Sequence, residues 1–276
     1  MCRLLGYVTG VPAPISASLG EGLFGQFTSL CTIHCDGWGM AWRRPDGIGI
    51  RTSPESALVD PAYAELAHQP LSDAGMVHLR WATDGLAVSP ENTHPFTDGR
   101  LALAHNGSIA PIAELESLLT AESLAAVRGT TDSERYFRYL VQEIGAAADE
   151  PEPEAVRRTI SALHHRFPTS SLNALLLSPS HLYAVHVNSA ATGPIRSVRA
   201  MYDSADDIPL GHADSSGYFA MAYRVRDEAV HVISSGVSPA GWQPVPLDSV
   251  LAIDLGTREV AVHAISTVTT AAGPRA

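Results

Sequence analysis

The stretch MCRLLGYV, residues 1–8, sets the reading of the whole chain. RLLGYV has the composition of a short strand that runs to turn residues near position 10. A cysteine stands just ahead of it. Met1 before a side chain as small as Cys2 is the kind of initiator that processing aminopeptidases remove. Removal leaves a thiol and a free α-amine on one residue. An α-amine titrates near pH ~8 and a thiol near ~8.5, so around neutrality the amine is partly unprotonated and can take a proton. Nucleophile and base then share a single amino acid, as in N-terminal threonine catalysts. The competing reading is an ordinary cysteine near a strand start, and the remaining sequence has to choose.

Composition narrows the field. The chain has 276 residues, 45% of them hydrophobic, enough to bury a large core. All 18 basic residues are arginine, and the net charge is −11. That balance speaks against nucleic acid, which needs clustered positive charge. No basic run flanks an apolar segment, which speaks against a membrane surface. Arg3 is the one early cation, and Gly6, Gly10, Pro12 and Pro14 interrupt any apolar run, so the N-terminus does not read as a signal peptide. No stretch reaches the ~20 apolar residues of a spanning helix. Three cysteines, an odd number, give no disulfide framework and suit a reducing cytoplasm. Cys31 and Cys35 bracket His34, but a structural zinc needs four ligands and no second pair follows, so two buried small thiols are expected and no metal. No GxxxxGKS or GxGxxG is present, and no cofactor is expected.

Element signals alternate in blocks. A weakly helical stretch at 15–30 leads to GWGMAW and GIGIRT, two strand-like runs joined by RPDG at 44–47. DPAYAELAH (60–68) reads as a helix with Asp60 as its cap and Pro61 at the first position. Strands are expected at GMVHLRWA (75–82) and RLALAHN (100–106). Residues 111–127 and 133–148 read as helical, the latter with Phe137, Leu140, Val141 and Ile144 at helical spacing, and 154–167 follows beyond Pro151 and Pro153. From residue 171 onward LNALLLS, HLYAVHV, YFAMAYRV, AVHVISS, SVLAIDL and VAVHAI read as strands. Strands, two central helices and strands again describe an α+β domain. Two facing sheets with helices on their outer faces would give four layers. One domain over 1–268 and a frayed tail at 269–276 are expected.

Three motifs can carry chemistry. In HLRWATDG (78–85), Arg80 sits near a strand end, where its guanidinium can clamp a carboxylate with two hydrogen bonds; a solvated strand-end arginine is the plainer reading. In AHNGSI (104–109), Asn106 offers a side-chain donor and Gly107 a backbone N–H that can approach a ligand closely, the two donors an oxyanion hole requires. An Asn-Gly turn is the alternative there. In GTTDSE (129–134), Thr131 or Asp132 can cap the following helix; with Thr131 or Ser133 as the cap, Asp132 is free to meet an ammonium. Arginine for a carboxylate, aspartate for an ammonium, a thiol and two oxyanion donors define a free α-amino acid with a reactive side-chain acyl group. Glutamine or another γ-glutamyl amide fits.

MCRLLG, DGWGMAW, HLRWATDG, ENTHPF, AHNGSI and GTTDSE, in this order, closely resemble the class II glutamine amidotransferases. Those are N-terminal nucleophile hydrolases with an αββα sandwich. The resemblance covers about residues 1–140, and SLNALLLSPSHLYAVH with VISSGVSPAGWQPV extends it toward 255, most like the stand-alone (YafJ-type) branch without a fused synthase domain. It implies Cys2 as nucleophile with its own α-amine as base, and Asn106 and Gly107 as the oxyanion hole. It further implies Arg80 for the substrate carboxylate, Trp81 and Thr83 lining the same pocket, and Asp132 for the ammonium. Sugar-phosphate members of the family often carry His where this chain has Asp84, so Asp84 receives no role. His34, His94 and His105 are expected to brace loops. The resemblance implies a glutaminase releasing ammonia to a synthase partner, or an amidohydrolase of a γ-glutamyl amide of a small thiol metabolite. A non-catalytic binding module for γ-glutamyl ligands is the reading from another class, in which Cys2 would serve no purpose.

Overall fold

The computed structural model describes residues 2–83, 85–237 and 241–265. The tail expected at 269–276 lies outside them, as does Asp84. The chain opens with β1 (Arg3–Ala13), helices α1 (Ile15–Leu19) and α2 (Glu21–Ser29), the hairpin β2 (Trp38–Arg44) and β3 (Gly47–Ser53), helix α3 (Pro61–Ala67) and β4 (Ser72–Leu79). After β5 (Phe96–Thr97) and β6 (Ala102–His105) come α4 (Ile112–Glu116), α5 (Ala121–Ala125), α6 (Asp132–Ala146) and α7 (Glu152–Arg166). Then follow β7 (Ala174–Leu177), β8 (His181–His186), α8 (Ile195–Arg199) and α9 (Ser215–Phe219). The described part closes with β9 (Met221–Arg226), β10 (Ala229–Ser234), β11 (Gln243–Pro244), β12 (Ser249–Asp254) and β13 (Val260–Ala264).

Local chemistry explains the boundaries. Asp60 caps α3 as expected, its carboxylate accepting the Ala62 N–H at 3.0 Å. Thr131 caps α6 by accepting the Glu134 N–H at 3.2 Å. Pro153 lies inside α7 rather than before it, because a first-turn residue has no N–H to contribute to the helix. The 111–127 stretch splits into α4 and α5, with Thr120 capping the second. YFAMAYRV is not strand throughout: Tyr218 and Phe219 end α9, and β9 begins at Met221.

The strands form two sheets, one of seven in the order β11-β9-β10-β1-β4-β2-β3 and one of six in the order β13-β12-β8-β7-β6-β5. Every neighbouring pair is antiparallel. Side chains alternate across a strand, so each sheet has two buried faces. Leu4, Val8, Ala74, Met76, Ala102, Ala104, Leu175 and Leu182 meet between the sheets. Leu5, Tyr7, Val77 and Leu79 face the other way and pack with Phe24, Phe27 and Tyr63 of the N-terminal helices. On the far side Leu103, Leu176 and Tyr183 pack beneath Phe137, Leu140 and Ile144 of α6 and Val156, Ile160 and Leu163 of α7. Each fully buried Leu or Phe there stabilises the fold by about 2 kcal/mol. The result is the four-layer αββα sandwich. No helix among the described residues is long and apolar enough to cross a membrane.

Glu152 pins α7 to the β7–β8 turn. Its Oε1 accepts from Ser178 Oγ at 2.6 Å, Tyr183 Oη at 2.9 Å and Ser180 Oγ at 3.1 Å, and His181 Nδ1 lies 3.6 Å away. Burial pushes its pKa up, but hydrogen bonds from His181, Ser178, Tyr183 and Ser180 outweigh it and bring the carboxyl from 4.5 down to about 2. The unfolded chain therefore takes up this proton first as pH falls. The stabilisation is complete above the unfolded value of 4.5 and disappears as pH drops through about 2. Denaturant midpoints measured across that window should fall more steeply for the native chain than for Glu152→Gln. Parallel slopes would show that Glu152 contributes nothing to acid sensitivity.

Candidate active site

The alternation that builds the core also builds the site. Along β1 the even positions Leu4 and Val8 point between the sheets, and Cys2, one step before the strand, shares that parity. Along β4 Ala74 and Met76 do the same, and His78 and Arg80 continue the row. Along β6 it is Ala102 and Ala104, and Asn106 comes next. Four polar residues thus arrive at one end of the inter-sheet layer. Cys2 is 5% exposed, His78 and Asn106 0%, and Arg80 2%.

The Cys2 backbone N–H donates to Asn106 Oδ1 at 2.9 Å. Asn106 Nδ2, on the same amide, is buried and has no hydrogen-bond partner among the described residues, an exception among buried donors. The Asn106 backbone is held independently, its N–H on Asn173 O at 2.7 Å and its carbonyl accepting Ser171 Oγ at 3.0 Å. Cys2 Sγ lies 3.9 Å from the Trp81 carbonyl oxygen. Burial, the largest influence, raises the Cys2 pKa, and electrostatic attraction and a hydrogen bond from the neighbouring His78 imidazole, with the Trp81 contact, outweigh it to bring the thiol from 9.0 down to about 5.

A small pocket is lined by Cys2, Arg80, Trp81, Thr83, Leu86, His94, His105, Gly107, Asp132 and their neighbours. Its free volume is about 20 Å³, room for about one water. Arg80 donates to the carbonyls of Asp36 at 3.3 Å and Ala87 at 3.2 Å, and among the described residues it has no ion pair. Desolvation lowers its pKa, and a buried guanidinium without a carboxylate is a ready receptor for one. The strand end bearing Arg80 is clamped by Asp36 and Gly37: Asp36 N–H donates to Arg80 O at 2.9 Å, and Arg80 N–H to Gly37 O at 2.8 Å. Asp36 Oδ2 also accepts the Ala82 N–H at 2.8 Å. With Thr131 as the cap, Asp132 turns to the pocket while its Oδ2 accepts the Ile109 N–H at 2.6 Å. Thr83 is exposed at the rim and Trp81 half-buried.

All seven residues singled out from the sequence converge here, six on the pocket wall and Asn106 through Cys2. His105 braces, as expected: its ring nitrogens lie 2.8 Å from Ser133 Oγ and 2.8 Å from Ser171 O. His94 shows no bracing hydrogen bond, for neither of its ring nitrogens has a partner among the described residues. His34 instead meets His212, Nε2 to Nε2 at 3.3 Å. One expectation is corrected: Cys31 is buried, its pKa raised by desolvation to about 12, but Cys35 is exposed. His78 was missed. Its signal was available, since it shares strand parity with Arg80 two residues on.

The family described as "Glutamine amidotransferases class-II" matches residues 1–246. The chain is similar to glutamine–fructose-6-phosphate aminotransferase [isomerizing] of Leifsonia xyli, 34% identical over 177 residues that cover 63% of this chain and 27% of that protein. It is also similar to the protein of the same name from Thermus thermophilus, 39% identical over 148 residues that cover 52% and 22%. The chain thus spans about a quarter of the length of these curated relatives. Among solved structures it superposes on a glutamine aminotransferase class-II domain protein from Silicibacter pomeroyi, with a TM-score of 0.62, 20% identity and coverage of 96% and 100%. A glutamine phosphoribosylpyrophosphate amidotransferase from B. subtilis gives a TM-score of 0.61, 13% identity and coverage of 96% and 49%. At such identities the structures share the fold.

Gly107 tests how tightly this corner is built. A Cβ there would stand 2.1 Å from Ser171 O and 2.6 Å from His105 Nε2. Gly107→Ala should lower unfolding stability by about 1–3 kcal/mol, read from denaturant midpoints. An unchanged midpoint would mean the backbone yields freely.

Proposed function

The chain belongs to the class-II glutamine amidotransferases, and from that premise we propose that it hydrolyses the side-chain amide of glutamine through a thioester on Cys2. The observation that carries the proposal is the divided Asn106 amide, whose oxygen holds the Cys2 nitrogen while its buried NH₂ donor has no partner. Such a donor suits an oxyanion that forms during reaction.

In this reading Met1 is removed, and the nitrogen hydrogen-bonded to Asn106 becomes the α-amine. That amine holds the proton the sulfur gives up while Sγ attacks the amide carbon. Asn106 Nδ2 and the Gly107 N–H receive the developing oxyanion. The C–N bond breaks, ammonia leaves with the proton from the amine, and a γ-glutamyl thioester remains. Water then adds to the thioester carbon, giving its proton to the amine, and glutamate departs as the thiol is restored. Arg80 binds the substrate α-carboxylate and Asp132 its ammonium, with Trp81 and Thr83 beside them. A pocket with about 20 Å³ free admits an amino acid only as its walls part. A synthase partner takes up the ammonia, and a reducing cytoplasm keeps the thiol free.

Intact-mass spectrometry with a diazoketone analogue of glutamine tests the core of this. One adduct on an N-terminal Cys2 freed of Met1 is expected; a retained Met1 or an unlabelled chain would overturn the assignment. Asn106→Ala should reduce kcat for glutamine about 10²–10³-fold with KM changed only a few-fold. Undiminished kcat would remove Asn106 from the oxyanion hole.

A further inference from the structure

We infer that Cys2, His78 and His94 form a site for one thiophilic divalent cation of the Zn²⁺ class, and that its occupancy takes the Cys2 sulfur out of reaction. The binding stands on geometry alone, whereas the loss of reactivity rests on the function proposed above.

The donor atoms come first. Cys2 Sγ and one ring nitrogen from each histidine lie within 4.8 Å of one another. All three side chains are buried, and the two imidazoles pack at 4.4 Å between ring centroids. Among the described residues, neither ring nitrogen of His94 has a hydrogen-bond partner, and the one partner His78 has is the Cys2 thiol itself. Buried polar atoms are rarely left so, and each such case asks what meets it. The neighbouring histidines differ. Both nitrogens of His105 are engaged, and His34 faces His212.

The donor set then selects the ion. One thiolate and two imidazoles suit Zn²⁺ and related soft cations, whereas Mg²⁺ and Ca²⁺ want oxygen. Three protein ligands leave a fourth position for water. With Zn–S near 2.3 Å and Zn–N near 2.0–2.1 Å, tetrahedral ligands stand about 3.3–3.7 Å apart, so the donors close in by about an ångström. Arg80 and Asp132, of opposite charge, line the same pocket.

The scaffold holds the ligands from three directions. His78 lies opposite Leu4 on β1 and opposite Gly39 on β2. His94 comes from the loop before β5, pressed onto the sheet at Gly39, where a Cβ would meet the His94 carbonyl oxygen at 2.0 Å. A glycine at position 39 is what lets this third ligand approach.

Titration of the full chain with Co²⁺, followed by displacement with Zn²⁺, tests the site. One Co²⁺ per chain is expected, with a thiolate-to-cobalt charge-transfer band that is absent in Cys2→Ser. His78→Asn and His94→Asn should each weaken binding at least tenfold, with circular dichroism confirming that they fold. Should either histidine variant fail to fold, Cys2→Ser and the remaining variant decide. Absence of the band, undiminished affinity in Cys2→Ser, or undiminished affinity in the folded histidine variants would overturn the site. Glutamine hydrolysis assayed alongside should stop on stoichiometric Zn²⁺ and return with a chelator; turnover unaffected by bound Zn²⁺ would overturn the blocking role. A chain that binds Co²⁺ in this way but never hydrolyses glutamine would refute the proposed activity and leave the cation site standing.

Discussion

A single hydrogen bond, from the Cys2 backbone N–H to Asn106 Oδ1 at 2.9 Å, joins the first strand of one sheet to the end of a strand in the other. The activity proposed for the site depends on it. It fixes the sulfur at the mouth of the inter-sheet layer, and it turns the other half of the Asn106 amide to where it has no protein partner. An amide that accepts with its oxygen cannot rotate to offer its NH₂ elsewhere without giving up that bond. Cys2 and the donor proposed for its oxyanion are therefore positioned by the same contact.

Much of this was legible in the sequence because it is written in local chemistry. Asp60 and Thr131 are capping residues at helix starts, and each caps in the fold. Phe137, Leu140 and Ile144 recur at helical spacing, and they are the buried stripe of α6. Period-two alternation in β1, β4 and β6 determines which side chains share a face, and it gathers Cys2, Arg80 and Asn106 at one end. The motif resemblance supplied what alternation could not, namely that these three strands meet.

What escaped the sequence depends on partners distant along the chain. The lack of a hydrogen-bond partner for His94 among the described residues, and the placing of His78 against the Cys2 thiol, are properties of the folded neighbourhood, and no local signal announces them. His94 reads as a loop brace because the Cys2 amine already supplies the base, while His105, read the same way, does brace through Ser133 and Ser171. The exposure of Cys35 likewise shows only in the fold, where the next residue, Asp36, is held to the strand end at Arg80 and Ala82. Short helices such as α8 and α9 carry too few turns to show a period.

Arg3 has a place of its own. It is fully buried; its guanidinium donates to the carbonyls of Tyr218 and Ser235, each at 3.1 Å, and lies 4.2 Å from the centroid of the Tyr218 ring. Chain ends usually fray within a few residues. Here the third residue is moored by a cation sunk into the protein, and β1 is sewn into its sheet on both sides immediately after. The Asn106 contact that positions Cys2 is thus backed by a firmly held residue on the C-terminal side of the sulfur. None of those moorings involves a residue ahead of Cys2, so the strand keeps at its first residues the fixity normally reserved for its middle.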